Sequence, residues 1–137
     1  MPKLRGHHLI CLHFFRGDGY DAAFVENLKG ILVRTESDIV DISEGGDDVC
    51  IKCPHLNGNR CIYTKDADEN IRKMDKRALN LLNLSPGTKI SWQEIRKMLP
   101  GIFHEWYKAE CIRCSWRWAC EKNSLYQQMV LAVDDND

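Results

Sequence analysis

Cys111-Ile112-Arg113-Cys114-Ser115-Trp116-Arg117-Trp118-Ala119-Cys120 is the stretch on which the reading of this chain turns. A C-x2-C turn lets two thiolates converge on one ion while the intervening amides point toward sulfur, and zinc and iron–sulfur sites both use it. Were residues 114 to 120 one regular helix, their alpha carbons would lie about 9 Å apart along the axis and on different faces. Two thiolates on one zinc, each at about 2.3 Å, must lie within roughly 4 Å of one another. A curled segment is therefore predicted between Cys114 and Cys120. A larger cluster relaxes the demand, because its cysteines bind different irons. Trp116 and Trp118 stand inside the segment, with bulk enough to screen sulfur from water.

Working outward, a second group precedes it: Cys50-Ile-Lys-Cys53-Pro54-His55, then Cys61. Six of the seven cysteines thus fall in two tight groups, a distribution that chance scatter would rarely produce. The odd count argues against a fully paired disulfide framework. Thiols kept in such number inside a reducing compartment hold metal or do redox chemistry. Pro54 after Cys53 resembles the Cys-Pro end of bacterial ferredoxin motifs, while the C-x2-C-x7-C spacing departs from theirs.

The rest of the chain reads as mainly helical with a small β element. Leu9 to Phe15 begins a buried helix, which Arg16-Gly-Asp-Gly19 breaks. Asp21 is a candidate N-cap for a helix over 22–35, since Phe24, Leu28, Ile31 and Leu32 recur at helical spacing. Residues 38–43 alternate as a short strand. A helix is predicted over 66–83, with Ile71, Met74, Leu79 and Leu82 near one face and Ser85-Pro-Gly87 as its stop. Thr88 to Ile90 is a candidate second strand of a small two-stranded ribbon. Ser91-Trp-Gln-Glu94 is a capping-box pattern, opening a helix that Pro100-Gly101 is expected to end at Leu99. Ile102 to Ala109 adds another helical turn, and a last helix covers 121–130 before a fraying tail. The expected fold is one compact helical domain over residues 1–137, stapled by a cysteine metal centre.

Composition narrows the classes of function. A chain of 137 residues with 44% hydrophobic content can bury a real core without crosslinks. The net charge of −1 offers no global field for nucleic acid or an anionic membrane. No apolar run approaches the roughly 20 residues that span a bilayer. No small-residue cleavage site follows the apolar start. A cytoplasmic protein is the expected reading.

Arg5-Gly-His-His-Leu9, Asp47-Asp-Val-Cys50 and Cys111-x2-Cys114-x-Trp116-x3-Cys120 together resemble domain-of-unknown-function family 1284, small bacterial and archaeal proteins described as iron–sulfur-binding. The resemblance spans nearly the whole chain and implies iron–sulfur binding. The late C-x2-C-x5-C spacing is also similar to the iron–sulfur staple of some DNA helicase–nucleases, where three late cysteines join one distant early cysteine on a 4Fe-4S cluster. That analogy implies Cys111, Cys114 and Cys120, with Cys50 as fourth ligand and a loop closing the two halves of the domain. The rival arrangement has two sites, the first formed by Cys50, Cys53 and Cys61 with His55 or Cys11, where zinc fits well.

Plainer readings stand beside these. Cys11, in an apolar helix, reads as a buried small hydrophobe. His7 and His8, adjacent on a helix, should face different directions and make a poor pair for one metal. His55 reads as a turn residue, and His104 and Glu105 as surface or packing groups. Trp92 and Trp106 read as core. Arg72, Lys73, Lys76 and Arg77 are interrupted by acids, which favours a solvated helix face over a nucleic-acid patch. No phosphate loop, dinucleotide fingerprint or nucleophile elbow is present. The expected function is that of a small iron–sulfur protein in electron transfer, redox sensing or structural support of a larger system, with an unidentified protein or redox partner. The alternatives are a structural zinc module and a cysteine-dependent redox enzyme.

Overall fold

Leu4, Val40, Ile42 and Ile90 are the buried positions of three short strands, and they set the floor on which the helices pack. The computed structural model describes residues 2–14, 21–37, 39–45, 47–49, 56–57, 60–61, 67–112, 114 and 117–136. In chain order its elements are β1 (Lys3–Arg5), α1 (His8–Cys11) with a 3-10 turn over Leu12–Phe14, α2 (Ala22–Ser37), β2 (Ile39–Ser43), β3 (Leu56–Asn57) and β4 (Arg60–Cys61). There follow α3 (Ala67–Leu82), β5 (Lys89–Ser91), α4 (Trp92–Trp106) with a π-turn over Tyr107–Cys111, α5 (Arg117–Cys120) and α6 (Ser124–Asn136). The chain is mainly helical, as expected.

The sheet has the order β1-β2-β5. β1 runs parallel to β2, with Leu4 opposite Ile42, and α1 and α2 form the crossover that a parallel pair requires. β5 runs antiparallel to β2, with Val40 opposite Ile90. The expected ribbon of two strands is thus β2 and β5, and β1 extends it. β3 and β4 form a separate antiparallel pair, Leu56 opposite Cys61.

Helix boundaries follow from local chemistry. Asp21 Oδ1 accepts the Phe24 amide at 2.8 Å and opens α2, as its position predicts. Ser91 Oγ accepts the Glu94 amide at 3.2 Å and opens α4. α3 ends at Leu82, one residue short of the expected 83. Asn83 takes a left-handed conformation at φ 58°, the Leu84 amide donates to Leu79 at 2.9 Å, and the Asn83 amide donates to Asn80 at 3.2 Å. That pairing is a Schellman stop, in which Asn serves where Gly is commoner. α6 begins at Ser124 rather than 121, because Asn123 Oδ1 accepts the Tyr126 amide at 3.0 Å. It runs to Asn136, past the expected fraying point.

The largest departure is α4. Pro100 and Gly101 were expected to end it, yet both sit exposed inside a helix that continues to Trp106. Ile95, Leu99, Phe103 and Trp106 are all 2% exposed or less, so the apolar stripe runs unbroken through the proline. Burying Phe103 and Trp106 stabilises by a few kcal/mol and outweighs the roughly 3 kcal/mol that an interior proline costs. Trp92 is likewise buried, stacked on His13 with ring centroids 3.9 Å apart. Phe14, Phe103, Tyr107 and Tyr126 form an aromatic cluster between α4 and α6, with edge-to-face pairs at 5.3 to 5.8 Å. No described helix is long and apolar enough to cross a membrane.

Candidate functional site

Four thiols meet beside that aromatic cluster. Cys11 ends α1, Cys111 ends the π-turn, Cys114 lies in the following loop and Cys120 ends α5. Each is half-buried, and each lies close enough to the others to act on them electrostatically. The π-turn places Cys111. An α-helix continuing from Phe103 and Trp106 would bring Glu110 to the buried face. Instead the Ile112 amide donates to Tyr107 at 3.2 Å, a five-residue step that adds one residue to the turn. Cys111 then packs against the core, and Glu110 reaches out to Arg77 at 3.5 Å. Inserted turns of this kind are frequent at functional sites.

Two short turns frame the stretch from Cys111 to α5. The Cys114 amide donates to Cys111 at 3.1 Å and the Arg117 amide to Cys114 at 3.2 Å, after which α5 makes a single turn. Arg117 fastens this loop to the π-turn, donating to the Tyr107 hydroxyl at 3.1 Å and lying 5.7 Å from that ring's centre. Trp118 is 49% exposed and carries the Lys122 ammonium 4.8 Å over its ring. Trp116 lies outside the described residues.

Burial disfavours the thiolate forms of Cys11, Cys111 and Cys120. Cys111 is pushed up to about 12 and Cys120 to about 11, in each case chiefly by burial. Cys11 is raised well above its usual value by burial first and then by Cys111, Cys120 and Cys114. Two buried donors face this group. Trp106 Nε1 points toward Cys11 and the Tyr126 hydroxyl toward Cys111, near enough to act on those thiols. Neither makes a hydrogen bond of good geometry to a described residue. A buried N–H or O–H without an acceptor costs about 1–3 kcal/mol. A thiolate or a cluster sulfide, richer in negative charge than a thiol, is the acceptor such donors fit.

Cys50 and Cys53 lie outside the described residues, as does the side chain of Cys61, whose backbone belongs to β4. Among the described residues no group of three or more His, Cys, Asp or Glu side chains is arranged to hold a single metal ion.

One turn before Cys11 lies a feature that the sequence did not announce. Asp47, whose side chain is fully buried, receives the Arg5 amide at 2.7 Å, the Val49 amide at 3.0 Å and His8 Nδ1 at 2.6 Å. Asp75 receives Arg5 Nε at 2.8 Å, the His7 amide at 3.0 Å and His7 Nδ1 at 2.6 Å. Burial alone would raise the Asp75 pKa, but the His7 and Arg5 contacts bring it below the usual carboxylate value. His7 is lowered, chiefly by burial and then by His8. Gly6 is required here, since a Cβ at that position would lie 2.3 Å from the Asp75 carbonyl oxygen.

A family model for proteins of unknown function matches residues 19–120, a span that contains six of the seven cysteines. Cys11 and the Arg5-Gly-His-His segment precede it. No curated protein and no solved structure gives a significant match. Since the model covers well over half of the chain, this protein belongs to the family of proteins of unknown function designated DUF1284.

Proposed function

We propose that Cys11, Cys111, Cys114 and Cys120 hold an iron–sulfur cluster, of the 4Fe-4S type that takes four thiolates. The observation that carries this reading is the meeting of four thiols with two buried donors, Trp106 Nε1 and the Tyr126 hydroxyl, that lack a good acceptor. When bound, the cluster supplies one-electron chemistry or a structural crosslink. The chain's own residues supply the rest. Burial disfavours free thiolates, so the thiols give up their protons to solvent as they take iron, and loading is coupled to proton release. Trp106 and Tyr126 donate to sulfur, and such hydrogen bonds shift the potential and steady the ligands. Phe103, Tyr107 and Tyr126 exclude water from one side. The role is electron transfer, redox sensing or structural support, with an unidentified protein as redox partner.

A second reading follows from the place of Cys11. If Cys11 completes the late group, then Cys50, Cys53 and Cys61 are released together, and with His55 they make a second site suited to zinc. The sequence spacing of these three is too regular for idle thiols.

Metal and acid-labile sulfide analysis of anaerobically purified protein tests both readings. We expect brown protein with absorbance near about 400 nm and four irons per chain. One zinc beside that iron supports the second site. Colourless protein whose only metal is zinc contradicts the cluster.

A further inference from the structure

We propose that His7 and His8 form a second, thiol-free site that binds one divalent transition-metal ion of the zinc type through their two Nε2 atoms. The proposal does not depend on the cluster. It rests on the way two carboxylates fix two imidazoles side by side.

Adjacent residues in a regular helix point roughly 100° apart. His7 itself has helical backbone angles, yet with Asp75 holding one ring and Asp47 the other, the two rings lie together with centroids 4.1 Å apart, tilted by 48°. Each ring is locked from behind at Nδ1, His7 by Asp75 and His8 by Asp47, at 2.6 Å in both cases. Asp47 already accepts two backbone amides, and Asp75 accepts Arg5 Nε and the His7 amide. Both carboxylates are thereby committed as acceptors, so each Nδ1 carries the proton. In the neutral ring the lone pair is then at Nε2. Burial favours that neutral form for His7.

The hydrogen bonds of the two rings to described residues all run through Nδ1, and each side chain keeps 14% of its surface exposed. A carboxylate on Nδ1 with the metal on Nε2 is the usual second-shell arrangement of histidine sites, fixing the tautomer and raising the basicity of the ligand. Borderline ions such as zinc favour imidazole at about 2.0–2.1 Å. No third His, Cys, Asp or Glu joins the pair among the described residues. Water or an anionic ligand would fill the remaining positions, which makes the site open in character. The long separations of the partners in sequence, 68 residues from His7 to Asp75 and 39 from His8 to Asp47, mean that the pair exists only in the folded chain.

The test is a zinc titration of the full chain, followed through the ring nitrogens of all five histidines by NMR. We expect the Nε2 signals of His7 and His8 to shift together and saturate at one zinc, with His13 and His104 unmoved. Cys111→Ser with Cys114→Ser disables the thiol site and should leave that response intact, which separates this proposal from the cluster. His7→Gln or His8→Gln should weaken zinc at this site at least tenfold, and Asp75→Asn by about 10–100-fold. Far-UV circular dichroism establishes that each variant is folded, and the two His→Gln variants decide the matter if Asp75→Asn is not. His7 and His8 signals that do not move, or that move only while Cys111 and Cys114 are intact, would overturn the proposal.

Discussion

The two ends of α1, three residues apart, solve the same problem in opposite ways. At His7 and His8 every Nδ1 has a carboxylate at 2.6 Å, and both carboxylates are filled by further donors. At Cys11 two buried donors, Trp106 Nε1 and the Tyr126 hydroxyl, face thiols that are poor acceptors. The first network is closed within the chain and stabilises the fold by itself. The second gains its hydrogen bonds only when the sulfurs carry negative charge. Disturbing the first should therefore cost stability at once, whereas disturbing the donors of the second should matter chiefly to the metal-loaded protein.

The largest effect should come from Asp47→Ala. It strands His8 Nδ1 and the Arg5 and Val49 amides in a buried setting, and we expect a loss of about 3–5 kcal/mol in chemical denaturation of the metal-free protein. A loss under 1 kcal/mol would mean that the histidine end is not the rigid one. Gly6→Ala comes next. Its Cβ meets Asp75 backbone that α3 holds in place, so about 3 kcal/mol should be lost and the melting temperature should fall by roughly 10 °C. An unchanged melting temperature would show that α1 and α3 can part cheaply.

Trp106→Phe and Tyr126→Phe probe the other end and should look mild at first. Each removes a donor that has no good acceptor among the described residues, so Tyr126→Phe should change metal-free stability by about 0.5 kcal/mol or less. Trp106→Phe also trims a buried ring, so about 1–2 kcal/mol is expected there. In the loaded protein both variants should bleach faster in air and show a shifted reduction potential. Equal bleaching rates in Tyr126→Phe and wild type would remove the reason for linking that hydroxyl to the cluster.

Much of the helical frame was legible in the sequence because its signals are local. Asp21 and Ser91 announce their helices by their own side chains, and Phe24, Leu28, Ile31 and Leu32 mark the buried face of α2. Pro100 misled because proline strain is local, whereas the burial of Phe103 and Trp106 that overrides it depends on distant partners. β1 escaped because three residues carry no period. The late cysteines were legible as a group from their spacing. What the sequence could not offer was the neighbourhood of Cys11. Its apolar flanks describe a core residue, and it is packed against the core, but nothing local tells that the π-turn and α5 bring three more thiols to it. The histidine pair was hidden for the same reason, since Asp47 and Asp75 are far away in the chain. Cys50, the fourth ligand that the staple analogy implies, and Cys53 lie outside the described residues, so spacing remains the guide there.

Cys11 is where the reading from sequence and the reading from geometry part, and it offers the most direct test. Iron and sulfide are measured in anaerobically purified Cys11→Ser and Cys50→Ser, with Cys120→Ser as the reference for a lost ligand. If Cys11 is the fourth ligand, Cys11→Ser should lose its cluster as fully as Cys120→Ser does, and Cys50→Ser should keep four irons per chain. Wild-type iron in Cys11→Ser, with iron lost in Cys50→Ser, would contradict the four-thiol site and restore the loop-closing arrangement through Cys50.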